Sequence, residues 1–155
     1  HRRQRQMCIR DSSGVLLSHG DATGGYSLYL DKGRLVHDLN IGGVHQLLTS
    51  HKPIPIGQHH VQFRMRRHRQ NDGQVQGVAT LWLNNEQVAE LETDKIFHLM
   101  ISWSGLDVGF DRGTTVGNYP SPFKFSGKLH KVTVDLEDDQ ELDHDGAGRV
   151  EMARE

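Results

Sequence analysis

Cysteine is nearly absent from this chain of 155 residues: Cys8 stands alone. One sulfur makes neither a disulfide framework nor a thiolate metal site. No apolar run approaches the roughly 18 residues of a membrane-spanning helix, and no signal-like segment opens the chain. Internal repeats, the mark of solenoids and propellers, are missing too. Charge of one sign is not in excess, since 18 Lys and Arg face 20 Asp and Glu, for a formal net charge of −2. A chain without an overall positive field, and without aromatics interleaved with its basic residues, makes a poor nucleic-acid binder. No G-x-S-x-G, H-E-x-x-H, Walker or dinucleotide pattern appears. The expectation is a soluble chain of one domain, long enough to bury its own core, with no membrane and no nucleic acid among its partners.

Residues 1–12 are set apart first. Gln6-Met7-Cys8-Ile9-Arg10-Asp11, followed by Ser12, back-translates to CAG ATG TGT ATA AGA GAC AG. That string looks like the mosaic-end adapter used in preparing sequencing libraries. Residues 1–12 are therefore read as an adapter-derived or disordered arm outside the fold. On that reading the native part holds no cysteine nucleophile.

What the chain does contain is strand patterning. Tyr26, Leu28 and Leu30 alternate with Ser27 and Tyr29. Val61, Phe63 and Met65 alternate with Gln62, Arg64 and Arg66, and Ala79, Leu81 and Leu83 repeat the period. Successive side chains leave a strand on opposite faces, so these segments predict antiparallel strands with one face buried and one wet. Leu99, Ile101 and Trp103 form another inward set, and Val132, Val134 and Leu136 the last. Asn84-Asn85 sits between two such runs, and Asn tolerates the positive φ of a tight hairpin turn. No long amphipathic helix is evident. Eight or nine strands with one apolar face each must bury that face against a second layer, which makes a two-sheet sandwich. After Leu136, the run Glu137-Asp138-Asp139-Gln140-Glu141 has too little apolar surface to order itself. The expected division is therefore an arm at 1–12, a β-sandwich at 13–137 and an acidic disordered tail at 138–155.

Two blocks carry a family resemblance. Leu106-Asp107-Val108-Gly109-Phe110-Asp111-Arg112-Gly113 runs through Tyr119-Pro120-Ser121-Pro122-Phe123 to Gly127-Lys128-Leu129-His130-Lys131-Val132-Thr133-Val134-Asp135-Leu136. Gly24-Gly25-Tyr26-Ser27-Leu28-Tyr29-Leu30, then Gly33-Arg34-Leu35-Val36, reads as an opening hairpin. Together they resemble the β-sandwich domain that follows the catalytic domain in many bacterial arylsulfatases. The resemblance covers residues 14–137. It implies an all-β, two-sheet antiparallel jelly-roll sandwich of the concanavalin A-like/laminin G-like type. It also implies a fragment of a longer sulfuric ester hydrolase, whose catalytic domain is the partner on which this one packs. The sulfatase nucleophile lies in a C/S-x-P-x-R motif, and none of the prolines here has Cys or Ser two residues before it and Arg two after. The fragment is expected to be non-catalytic and without a cofactor, the calcium of the parent belonging to its catalytic domain. A rival function from another class is a free-standing lectin-like module that binds glycans. Sandwiches of this type serve both uses.

Candidate sites follow. Asp107 and Asp111 could contribute to a calcium ion at the sandwich rim, or could cap turns by accepting backbone N–H bonds. Ser102-Trp103-Ser104-Gly105 stands upstream where the family more often has acidic residues. Arg64 and Arg66 should share a wet strand face, where guanidinium forks could hold a sulfate or carboxylate of an anionic glycan; the plain alternative is a solvated face. Trp82 lies beside the inward residues Leu81 and Leu83 and should face outward, as a sugar platform or as a ring covered by a loop. Phe110, Tyr119, Pro120, Pro122 and Phe123 concentrate aromatic and rigid residues in a loop, as an interface to the catalytic domain would, or plug the sandwich end. The eleven histidines are scattered over different elements, and the adjacent His59 and His60 would point to opposite faces of a strand, so they suggest no metal site.

Overall fold

A computed structural model of the chain describes residues 13–69, 75–94, 105–135 and 147–154, all as strands, turns and loops. Among the described residues ten strands follow one another: β1 (Gly14–Asp21), β2 (Gly24–Asp31), β3 (Arg34–Ile41), β4 (Val44–Thr49), β5 (Gly57–Arg69), β6 (Val75–Leu83), β7 (Glu86–Thr93), β8 (Leu106–Val108), β9 (Lys128–Asp135) and β10 (Ala147–Arg154). They form two five-stranded sheets, in the orders β4-β3-β2-β1-β8 and β7-β6-β5-β10-β9. Every strand pair is antiparallel. The chain is all-β, and its two sheets share one core.

Local chemistry accounts for the hairpins. Asn84 and Asn85, at φ 48° and 71°, turn β6 into β7, as tight hairpins require of their central residues. Lys32-Gly33 does the same between β2 and β3, the opening hairpin expected from the sequence. The expected alternation holds on β5 and β6 except at Gln62, which was expected on the wet face and is buried. Val61, Ala79, Leu81 and Leu83 are buried and Phe63 and Met65 pack against them, while Arg64 and Arg66 are exposed. From the first sheet come Leu16, Leu17, Leu28, Leu30, Leu35 and Leu48. Burying one such aliphatic side chain contributes about 1.5–3 kcal/mol, so this shared apolar layer is the main attraction between the sheets.

The link from β4 to β5 crosses between layers and ties them. Ser50 N–H donates to Leu35 O (2.8 Å), His51 N–H to Val88 O (2.9 Å) and Ile54 N–H to Gly33 O (2.7 Å). Ile54, 3% exposed, fills the gap.

One boundary is corrected. Residues 138–155 were expected to form a tail, yet Ala147–Arg154 is β10, paired with β5 on one side and β9 on the other. Its sequence alternates Val150 and Met152 with Arg149 and Glu151, a strand period overshadowed by the acidic run before it. Flanking strands on both sides pair its backbone N–H and C=O groups, an arrangement no local composition reveals. The inward set Leu99, Ile101 and Trp103, together with Leu136 and the arm at 1–12, lies outside the described residues.

Candidate functional site

The outward face of the first sheet should be wet, but a loop covers it. Cross-strand register aligns Asp107, Ser18, Ser27 and Asp38 as one row over β8, β1, β2 and β3. Aligned residues point to the same side of a sheet. All four are buried, Ser27 and Asp38 completely.

Residues 109–123 form the cover. Val15 N–H donates to Phe123 O (2.9 Å), Gly109 N–H to Leu16 O (3.0 Å) and Phe125 N–H to Gly109 O (2.9 Å). Tyr119 meets Tyr29 edge-on at 5.0 Å between ring centroids, and Phe123 lies 6.2 Å from the same ring. With Val15 and Val36 these rings make a second, smaller apolar cluster. Val116 is fully buried in the loop, and its carbonyl accepts from Asn40 Nδ2 at 3.0 Å. Gly117 lets the loop come down: a Cβ there would clash with the Tyr119 ring and stand 3.1 Å from Asp38 Oδ2.

Asp111 is the hub. Its Oδ2 accepts from Tyr119 Oη (2.6 Å) and from Val116 N–H (2.9 Å). Its Oδ1 is buried without a hydrogen-bond partner, as is Ser27 Oγ. Burial pushes the Asp111 carboxyl above the usual carboxylate range, against the lowering effect of the Tyr119 and Val116 hydrogen bonds. Burial and the bond to Asp111 push the Tyr119 phenol up. On the same face, His45 Nδ1–H donates to both oxygens of Asp38, at 2.9 and 3.0 Å. Burial raises the Asp38 carboxyl, and the His45 hydrogen bond opposes that rise.

Asp107 and Asp111 both accept backbone N–H bonds here, the turn-capping alternative to a calcium ion. Asp107 is already engaged: its oxygens accept from Arg112 N–H and Nε at 2.9 Å each, and Arg112 Nη2 stands at 2.8 Å. Among the described residues no three His, Cys, Asp or Glu side chains converge on a point. A hard cation needs several oxygens, and Asp107 is held by a guanidinium while Asp111 serves a tyrosine and a backbone amide. The residues present do not fit the ion.

The interface candidates divide. The rings of Tyr119 and Phe123 are spent on the chain's own sheet. Phe110 is half-buried with the Arg112 guanidinium 5.5 Å over its ring. Pro120 and Pro122 are exposed. The ligand candidates do come together. Arg64 and Trp82 meet on the outward face of the second sheet, with the Arg64 guanidinium 4.7 Å above the indole. Trp82 Nε1–H donates to Thr80 Oγ1 at 2.9 Å, and Arg66 lies two residues along the same face.

Sequence reasoning missed Ser18, Ser27, Asp38, Asn40 and His45. All sit at outward positions of alternating strands, where polar residues are the rule, so no local signal marks them as covered. No family model matches the chain, and neither a curated protein nor a solved structure does.

Proposed function

We propose that the chain is a non-catalytic accessory β-sandwich of the jelly-roll, concanavalin A-like/laminin G-like type, carried by an arylsulfatase-like hydrolase and packing on its catalytic domain. Three things support this reading. Its motifs resemble that domain in order and spacing. The nucleophile motif is lacking. And the residues of the resembling segment, Asp107, Asp111, Tyr119 and Phe123, use their side chains to hold the segment on its own sheet, which is architecture rather than chemistry.

The observation that carries the packing role is apolar surface on the β3–β4 hairpin. Val44, 57% exposed, pairs in register with Ile41, 37% exposed, so these two share one face at the hairpin, while Leu47, 53% exposed, leaves β4 on the opposite face. Since Tyr119 and Phe123 are occupied internally, the docking surface moves from the 105–123 loop to this hairpin. Isolated exposed apolar residues are ordinary, whereas a contiguous group marks an interaction site. Hydrogen exchange of the isolated chain and of the full-length parent tests the reading. Slower exchange at 41–48 in the parent supports docking there, and identical exchange in both rejects it. The purified chain should not turn over a chromogenic aryl sulfate, with or without calcium; turnover would reject the non-catalytic assignment. A lectin-like role remains the second reading, favoured by the Arg64–Trp82 stack.

A further inference from the structure

Strands β5 and β6 carry no carboxylate of their own, and among the described residues their outward face is positively charged. Arg64 and Arg66 are exposed, and neither makes an ion pair among the described residues. The carboxylates nearest in register are Glu90 and Glu92 of β7, which align with them across Thr80 and Val78. Two strand spacings, about 10 Å, separate each pair, and Glu90 instead accepts from Gln87 Nε2 at 3.2 Å.

One of the two guanidinium groups is already oriented. Arg64 rests on the Trp82 indole at 4.7 Å, a cation–π contact that contributes to holding its rotamer. Trp82 is in turn fixed by its hydrogen bond to Thr80 Oγ1. A stacked guanidinium keeps the N–H groups along its edge available, and the fork matches two oxygens of a planar or tetrahedral anion. Ordering the side chain in advance reduces the entropy lost on binding. Thr80 and Gln87 lie on the same face beside the stack, with a hydroxyl and an amide, while Gln62 on that face is buried.

We propose that Arg64 and Arg66 clamp a single sulfate or carboxylate group carried on a saccharide, with Trp82 as the positioning residue behind Arg64. A nucleic acid suits the face less well. The indole face is taken by the guanidinium and so is not offered to a base for stacking. The site stands on this face alone and holds whether the domain is an accessory of a larger enzyme or a free module.

Calorimetric titration of the full chain at about 0.1 M salt, where long-range attraction is largely screened, tests it. The probes are dextran sulfate, uncharged dextran, inorganic sulfate and a single-stranded oligonucleotide. Dextran sulfate should bind and dextran should not. The double variant Arg64→Ser/Arg66→Ser should lose about tenfold or more in affinity with its circular dichroism intact, and Arg64→Lys should lose less, since an ammonium keeps the charge but not the fork. Wild-type affinity in the folded double variant, or no binding of dextran sulfate at all, overturns the site. Tighter binding of the oligonucleotide overturns the ligand class, and inorganic sulfate binding as well as the polymer overturns the saccharide.

Discussion

The His37 imidazole lies flat on the Phe63 ring, 3.7 Å between centroids and 2° between planes. One ring comes from β3 of the first sheet and the other from β5 of the second, so a titratable group is stacked inside the sandwich. Burial drives the His37 pKa down to about 3, from an ordinary 6.5.

That shift makes stability depend on acid in a defined direction. Above pH 6.5 His37 is neutral whether folded or not, and its contribution is complete. As pH falls from 6.5 toward 3 the unfolded chain takes up a proton that the folded one refuses, so stability is lost. At pH 4.5 the loss from this group should be on the order of 2–3 kcal/mol. Urea denaturation at pH 7 and at pH 4.5, on the wild type and on His37→Phe, isolates it. The wild type should lose more stability between the two conditions than the variant, and equal losses would remove His37 as the cause.

Neighbouring residues on β5 should behave oppositely. Phe63→Ala removes a ring that touches both sheets and should cost about 3 kcal/mol or more. Arg64→Ser with Arg66→Ser should cost about 1 kcal/mol at most, as exposed positions do. Chemical denaturation measures both. A reversed order would mean that the strand register is displaced by one residue, which would exchange the faces of the whole strand.

The loop over the first sheet depends on one phenol. Tyr119→Phe leaves Asp111 Oδ2 with a single donor beside an Oδ1 that has none. Losing a partner to a buried carboxylate should cost about 1–3 kcal/mol. Hydrogen exchange should quicken at 111–119 before it does in β5 or β6. If exchange there is unchanged, the loop is held by its rings and backbone bonds alone.

Truncating the chain after Asp135 should be far more damaging than trimming a tail. β10 separates β5 from β9 in the second sheet, so its removal strands β9 and bares an edge of β5, a template for aggregation. Thermal unfolding and light scattering report the outcome. An unchanged midpoint and a clear solution would show that residues 147–154 contribute nothing to the sheet.

The sequence by itself determined the class of fold. Val61, Phe63 and Met65, then Ala79, Leu81 and Leu83, state a period of two that only a half-buried strand satisfies. Asn84-Asn85 and Lys32-Gly33 state where such strands turn. These are properties of a few adjacent residues, written in order. Only the tertiary structure decided what covers the outer face of the first sheet. Ser27 and Asp38 look wet in sequence, and they are buried because Tyr119 and Phe123, some ninety positions away, fold down on them through Gly117. Burial of a polar residue depends on a chain segment remote in sequence, and alternation carries no information about that segment. The same physical reason hid β10. A strand between two others draws its stability from hydrogen bonds to both neighbours, and those neighbours are fixed by topology, not by the residues of the strand itself.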